Sequence, residues 1–251
     1  MGKKAIGIDI GGTGIKGAVA DLKSGKIIGE RLRVETPTGG TPKDVAEAVS
    51  KMVKQLGGSA YMEVGICFPA VVQHGVTMSA ANISDQWIGL DAEGLFEKKL
   101  GRHVHVLNDA DAAGVAEVKY GAARGRKGLT IMTTLGTGIG TALLYNGELV
   151  PNSELGHLEI DGVDYEKMAA FSAKEREGLS WAEWVVRLQK YYSKLEGLLV
   201  PDLIVVGGGV SKQHQEFLPL LRLKTEIVPA ETRNSAGILG AAALAYKNRD
   251  N

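Results

Sequence analysis

Asp9-Ile10-Gly11-Gly12-Thr13-Gly14 decides how this chain of 251 residues is read, because the same kind of turn returns as Leu135-Gly136-Thr137-Gly138-Ile139-Gly140. Each turn interrupts a run of strand-forming residues and is followed by another strand rather than a helix. Glycine lets backbone N–H groups face an anion, and threonine adds a hydroxyl donor without bulk, so each turn is an anion-binding concavity. Two of them, one per half of the chain, suit a grip on one polyphosphate chain from two sides. The expectation is that they face one another across a cleft. Gly12, Gly14 and Gly17 also spell the dinucleotide pattern G-x-G-x-x-G, which has meaning only where a helix begins at the glycines. Here Ile15, Gly17, Val19 and Leu22 alternate with small or polar neighbours, and Ser24-Gly25-Lys26 turns the chain into Ile27-Ile28. That is a hairpin, not a Rossmann unit. No Gly-Lys is followed by Ser or Thr, so a P-loop is absent as well.

Working outward, the composition fits an enzyme with one large domain or two lobes: 44% of residues are hydrophobic and 34 are glycine. The 29 acidic and 29 basic side chains cancel, so no global field advertises nucleic acid or a membrane. A polyanion must be met by a local patch. Cys67, the single cysteine, cannot form an internal disulfide and lies in the apolar run Val64-Gly65-Ile66-Cys67-Phe68, which reads as core. Lys3-Lys4 leads straight into a strand, so neither a signal peptide nor a membrane span is expected and the location is read as cytoplasmic.

Strands and helices alternate along the chain. Thr41-Pro42 opens a helix with Asp44 in its first turn, an apolar stripe of Val45, Val49, Met52, Val53 and Leu56, and a Gly57-Gly58 stop. A strand over 104–107 delivers Asn108-Asp109, and a helix of small residues follows over 110–120. Ser180 and Glu183 form a capping box that opens a helix with the stripe Trp181, Trp184, Val185, Leu188, Tyr191, Tyr192 and Leu195, read as core or as subunit contact. A strand over 203–206 ends in Gly207-Gly208-Gly209, with a helix expected from Ser211, and an alanine-rich helix over 234–247 closes the chain.

In this order, Asp9-Ile10-Gly11-Gly12-Thr13, Asn108-Asp109, Leu135-Gly136-Thr137-Gly138, Glu154-Leu155-Gly156-His157 and Gly207-Gly208-Gly209 resemble the sugar kinases of the ROK family, within the actin-like ATPase and hexokinase superfamily. Through Lys174-Glu175-Arg176-Glu177-Gly178-Leu179-Ser180-Trp181 the chain looks most like that family's bacterial polyphosphate glucokinases. The resemblance implies an α/β, ribonuclease H-like fold with two lobes around a cleft. A small lobe would span 1–109, with the closing helix 234–251 as a candidate to pack on it, and a large lobe 110–233. It also implies phosphoryl transfer from inorganic polyphosphate or ATP to the C6 hydroxyl of glucose by a homodimer. An ATP-dependent kinase for glucose, fructose or another hexose is the alternative. Sugar-binding repressors of the family carry a helix-turn-helix segment ahead of the kinase-like body, and this sequence reaches its first strand almost at once.

The site residues follow from the same resemblance. Asp109 is the candidate base for the sugar hydroxyl, and a capping role at the following helix stays open. Asn108, Glu154, His157, Glu166 and Asn82 would bind the sugar, although Asn82 also reads as a turn-forming asparagine. Gly11, Gly12, Thr13, Thr137 and Gly138 would hold phosphoryl oxygens, Lys16 would add positive charge, and Gly208 with Gly209 would admit an adenosine. Asp9 would act through Mg²⁺, by way of water. Many ROK members follow the Gly-His element with a cysteine cluster that binds zinc; 158–172 contains no cysteine, so no zinc is expected and His157 is left for substrate. Arg124, Arg126 and Lys127, with Lys174 and Arg176 as further candidates, read as a cationic track for polyphosphate or as a solvated basic loop.

Overall fold

The computed structural model describes residues 3–57, 62–80 and 83–249. Strand β1 (Lys4–Ile10) is buried almost throughout, which is why Ala5-Ile6-Gly7-Ile8 reads as near-continuous apolar sequence. It pairs antiparallel with β2 (Ile15–Asp21), in a register that sets Asp9 opposite Lys16, and β2 pairs with β3 (Lys26–Val34). Helix α1 (Pro42–Gln55) starts where the Thr41 hydroxyl accepts the Asp44 N–H, and buries Val45, Val49, Met52 and Val53. Strand β4 (Val64–Phe68) runs parallel to β1 and is buried at every position.

A small three-stranded sheet follows, built from β5 (Val72–Gln73), β6 (Val76–Thr77) and β7 (Leu90–Asp91). Helix α2 (Ala92–Leu100) then leads to β8 (Val104–Asn108) and helix α3 (Asp109–Tyr120). The main sheet has the order β3-β2-β1-β4-β8. The C-terminal helix, Ala236–Asn248, lies against it so closely that a Cβ on Gly7 would stand 1.9 Å from the Ile238 carbonyl oxygen. One on Gly65 would stand 2.0 Å from that of Ala241. The chain divides into two compact units, Met1–Ala116 with Asn234–Asn251, and Glu117–Arg233.

The second unit repeats the plan. Strands β9 (Leu129–Leu135), β10 (Ile139–Tyr145) and β11 (Glu148–Val150) form an antiparallel run. The hairpin of β12 (Glu159–Ile160) and β13 (Val163–Asp164) follows, then helices α4 (Glu166–Ala169), α5 (Phe171–Glu177) and α6 (Trp181–Leu199). Strands β14 (Leu203–Gly207) and β15 (Glu226–Pro229) complete a sheet of order β11-β10-β9-β14-β15, the same sequence of sequential and crossover neighbours as in the first.

Both arms of the Ser180–Glu183 capping box are formed. The stripe that α6 carries turns inward: Trp184, Leu188, Tyr191, Tyr192 and Leu195 are fully buried in this unit's own core, each large side chain contributing about 1.5–3 kcal/mol of burial. The stripe is therefore core and is not available as subunit contact, which corrects half of the expectation. The helix expected from Ser211 is instead a run of 3₁₀ turns over Gly209–Glu216, kinked at Gln213. The cause is local: the Ser211 N–H and hydroxyl both bond to the Gly208 carbonyl, closing the tighter turn. Among the described residues, no helix is long and apolar enough to cross a membrane.

Candidate active site

In the first unit the β1–β2 turn is closed by the Gly11 N–H donating to the Gly14 carbonyl at 3.0 Å, and the Gly11 carbonyl is taken by the Thr36 hydroxyl. Gly12 and Thr13 are exposed, and among the described residues no acceptor meets their N–H groups. Two N–H donors stay exposed while a nearby carbonyl is tied back, the arrangement an anion site requires. At the end of β1, Asp9 Oδ2 is 3.1 Å from Lys16 Nζ, the pair dictated by the cross-strand register. Cys67, on the neighbouring β4, points its Sγ at Asp9 Oδ1 at 3.6 Å. Complete burial, together with the charges of Asp9 and Asp109, pushes the Cys67 thiol well above its ordinary range. It is thus a neutral S–H donor beside two carboxylates. Gly237 must lack a side chain here, since a Cβ would come within 2.8 Å of the Cys67 sulfur.

Asn108 and Asp109 divide the work at the start of α3. The buried Asn108 side chain accepts the N–H groups of Ala110 at 2.7 Å and Asp111 at 3.2 Å, and its amide donates to the Ala70 carbonyl at 3.1 Å. Asn108 is therefore the helix cap, with one amide N–H left for a ligand. Asp109 accepts the Ala110 N–H at 2.8 Å and is exposed. Asn108 meets both first-turn N–H groups and Asp109 one of them.

The second unit builds its turn differently. The Gly136 N–H donates to the Gly138 carbonyl at 3.0 Å. Ser172 binds the Thr137 carbonyl through its hydroxyl at 2.6 Å and the Gly136 carbonyl through its N–H at 3.0 Å. Glu166, at the start of α4, accepts the Ile139 N–H at 2.7 Å, and a Cβ on Gly138 would be 2.4 Å from the same carboxylate oxygen. The N–H groups of Thr137 and Gly138 meet no acceptor among the described residues. Gly208, at φ +83°, packs its Cα on the end of β9, where a Cβ would meet the Leu135 carbonyl at 2.2 Å. Gly209 faces open space.

His157 lies near Glu166, its Nδ1 4.0 Å from Glu166 Oε1 and 3.2 Å from Asp164 Oδ2. Burial opposes protonation of this ring, but the Asp164 hydrogen bond and the charges of Glu166, Asp164 and Glu154 outweigh it and hold the imidazole above its ordinary range. Burial raises the Glu154 carboxyl, with Glu166 adding to the effect and His157 opposing it. Sequence reading missed Asp164. Its signal is the Asp161-Gly162 turn, which folds β13 back on β12 and returns Asp164 toward His157.

Lys174 and Arg176 have partners within their own unit. Lys174 sits 4.4 Å over the Trp181 ring, and Arg176, which stays exposed, bonds the Lys167 carbonyl and pairs with Glu177. Asn82 falls outside the described residues. No group of three His, Cys, Asp or Glu that could hold a metal occurs among the described residues.

Two sheets of matching strand order, each with a glycine turn joining its first two strands, define the actin-like ATPase and hexokinase fold. The chain belongs to the ROK family, which it matches over residues 5–176. It is 42% identical over 241 residues to the polyphosphate glucokinase of Mycobacterium tuberculosis (strain ATCC 25618 / H37Rv), covering 96% of this chain and 90% of that one. The crystal structure of the inorganic polyphosphate/ATP-glucomannokinase from Arthrobacter sp. strain KM matches at TM-score 0.91 and 55% identity, over 96% of this chain and 98% of that one. A ROK family glucokinase from Streptomyces griseus, in complex with glucose and AMPPNP, shares the fold at TM-score 0.81 and 24% identity, over 98% of this chain and 100% of that one.

Proposed function

We propose that this chain is a polyphosphate glucokinase, moving the terminal phosphoryl group of inorganic polyphosphate, and of ATP as a second donor, to the C6 hydroxyl of glucose. The observation that carries the reading is the duplicated glycine turn, in each half with a carbonyl tied back and two successive N–H groups left for an anion. Phosphoryl transfer asks little of a protein beyond positioning and charge neutralisation. The sugar C6 oxygen forms the new P–O bond as the bond from phosphorus to the bridging oxygen breaks. The hydroxyl proton passes to Asp109, and the shortened polyphosphate leaves with the electron pair. A base in this role contributes about 10² to 10⁴ in rate.

Gly12, Thr13, Thr137 and Gly138 take phosphoryl oxygens. His157, Glu154 and the remaining amide N–H of Asn108 meet sugar hydroxyls, and Glu166 orients the second turn and the His157 ring. Asp9 fits magnesium, an ion content with one carboxylate, waters and phosphate oxygens. When bound it supplies charge neutralisation at the donor phosphates. Lys16 holds Asp9 in its place beside the turn. The working form is a cytoplasmic homodimer, its interface outside the buried α6 stripe, and light scattering on the eluted protein checks the assembly.

An assay coupled to glucose 6-phosphate oxidation, run with each donor in turn, tests the reading. Strong activity with ATP and none with polyphosphate would replace it by an ATP-dependent hexokinase. The name of the Arthrobacter protein makes mannose the second acceptor to assay.

A further inference from the structure

The second unit contains a cavity of 530 Å³ at the carboxyl ends of β14 and β15, and no role described so far uses it. Arg126, Arg233, His214 and Ser211 line it with one carboxylate, Glu231, over a floor that includes Pro229. The His214 Nδ1–H donates to the Ser211 carbonyl at 3.0 Å, which leaves Nε2 on the other side of the ring. Arg126 holds Glu226 at 2.7 Å on the exposed edge, an ion pair of the kind that exchanges readily for a better anion.

The walls are fixed from behind by a buried carboxylate. Glu117, 1% exposed, accepts the Ala122 N–H at 2.8 Å, the Glu231 N–H at 3.1 Å, the Thr232 N–H at 2.8 Å and the Thr232 hydroxyl. It ties the start of the basic loop to the segment after β15. The cavity also adjoins the second phosphate turn, because Ser211 bonds the Gly208 carbonyl at 2.8 Å and Gly208 packs on Leu135, the residue before Gly136. Beyond Arg126 the loop carries Arg124 and Lys127 at the surface.

We infer that this cavity is a distal anion subsite, in which Arg126 and Arg233 hold phosphates of the polyphosphate chain lying beyond the group that is transferred. The inference rests on the polyphosphate reading above and extends it. Two guanidiniums, one of them held only by the exchangeable surface pair with Glu226, share the cavity with Glu231, and further cations continuing past the rim suit a chain of repeating anions. A single nucleotide would have no use for the continuation. Glu117 is a positioning residue for this subsite, since it sets the distance between its two walls.

The test compares R126Q, R126K and R233Q with the unaltered enzyme, using long-chain polyphosphate and ATP as alternative donors at fixed glucose. R126Q and R233Q are expected to raise KM for polyphosphate about tenfold, the scale of one charge-assisted contact, with a much smaller change for ATP. R126K, which keeps the charge, restores most of the loss. Calorimetric titration of each protein with long-chain polyphosphate, without sugar, reads the subsite independently of turnover and should show the same ranking. Equal losses with both donors, a loss confined to ATP, or unchanged polyphosphate affinity in R126Q and R233Q would each overturn the inference. An enzyme that makes no glucose 6-phosphate from polyphosphate while its R126Q variant still loses polyphosphate affinity would sink the functional reading and leave the subsite standing.

Discussion

In the first sheet the carboxylate beside the glycine turn, Asp9, is met by the Lys16 ammonium at 3.1 Å and the Cys67 thiol at 3.6 Å, both of them side chains. In the second sheet the corresponding neighbour, Glu166, accepts a backbone N–H of the turn's own flank, Ile139, at 2.7 Å. The strand orders match, yet the two carboxylates do different work. Beside a phosphate site a carboxylate repels unless it is neutralised or spent. Asp9 is neutralised by the Lys16 ammonium, which can be exchanged for a bound cation, whereas Glu166 braces the turn through Oε2. The contrast is one of partners: side chains around Asp9, backbone under Glu166.

The sharpest way to break that contrast is Asp109→Asn. Turnover should fall by about 10² to 10⁴ while the melting temperature holds, because the cap belongs to Asn108. A near-normal rate would move the base out of the first half. Next in size, Asp9→Asn should lower kcat by about 10² to 10³ at little cost in stability. Glu166→Ala should instead lose about 1–3 kcal/mol of stability by stranding the Ile139 N–H. Chemical denaturation run beside steady-state kinetics separates the two, and the same profile for both variants would erase the distinction.

Gly7→Ala and Gly156→Ala probe how far the halves share a packing rule. Each Cβ would stand 1.9 Å from a carbonyl oxygen, of Ile238 and of Ile139 respectively. Both variants should lose about 1–3 kcal/mol, seen as lower melting temperatures. Loss in only one would show that the repeat is looser than its strand order implies. The smallest effect is expected for Asp164→Asn, which removes the partner that lifts His157; the imidazole pKa, followed by NMR titration, should drop toward 6.5. The sign for stability follows from the same shift. Protonated His157 stabilises the folded protein below pH 6.5, and this contribution is lost as pH rises through the elevated folded value. With the side chain 53% exposed, solvent screening keeps it small.

Features set within a few residues were legible in the chain. The Thr41-Pro42 start, the Ser180–Glu183 box and the turn-then-strand reading of both glycine elements all depend on neighbours within about one helical turn or one hairpin, where spacing alone specifies geometry. The Ser211 segment was misread because serine back-bonding to Gly208 competes with an α-helix, and composition does not show which closure wins. For Lys174 and Arg176 the sequence displays the charge but not the Trp181 ring and the Lys167 carbonyl that these side chains meet.

The alternation of strands and helices and the two turn-then-strand elements could be read from residue order, since each rests on short-range pattern, whereas Asp109 entered as candidate base only through the family resemblance. Which side chains stand together over long spans was decided by tertiary structure: Cys67 against Asp9 across 58 positions, and Glu117 tied to Thr232 across 115. Those contacts are set by sheet register and by where loops close. Neither is encoded at any one place in the chain, because both emerge only when the whole core is packed at once.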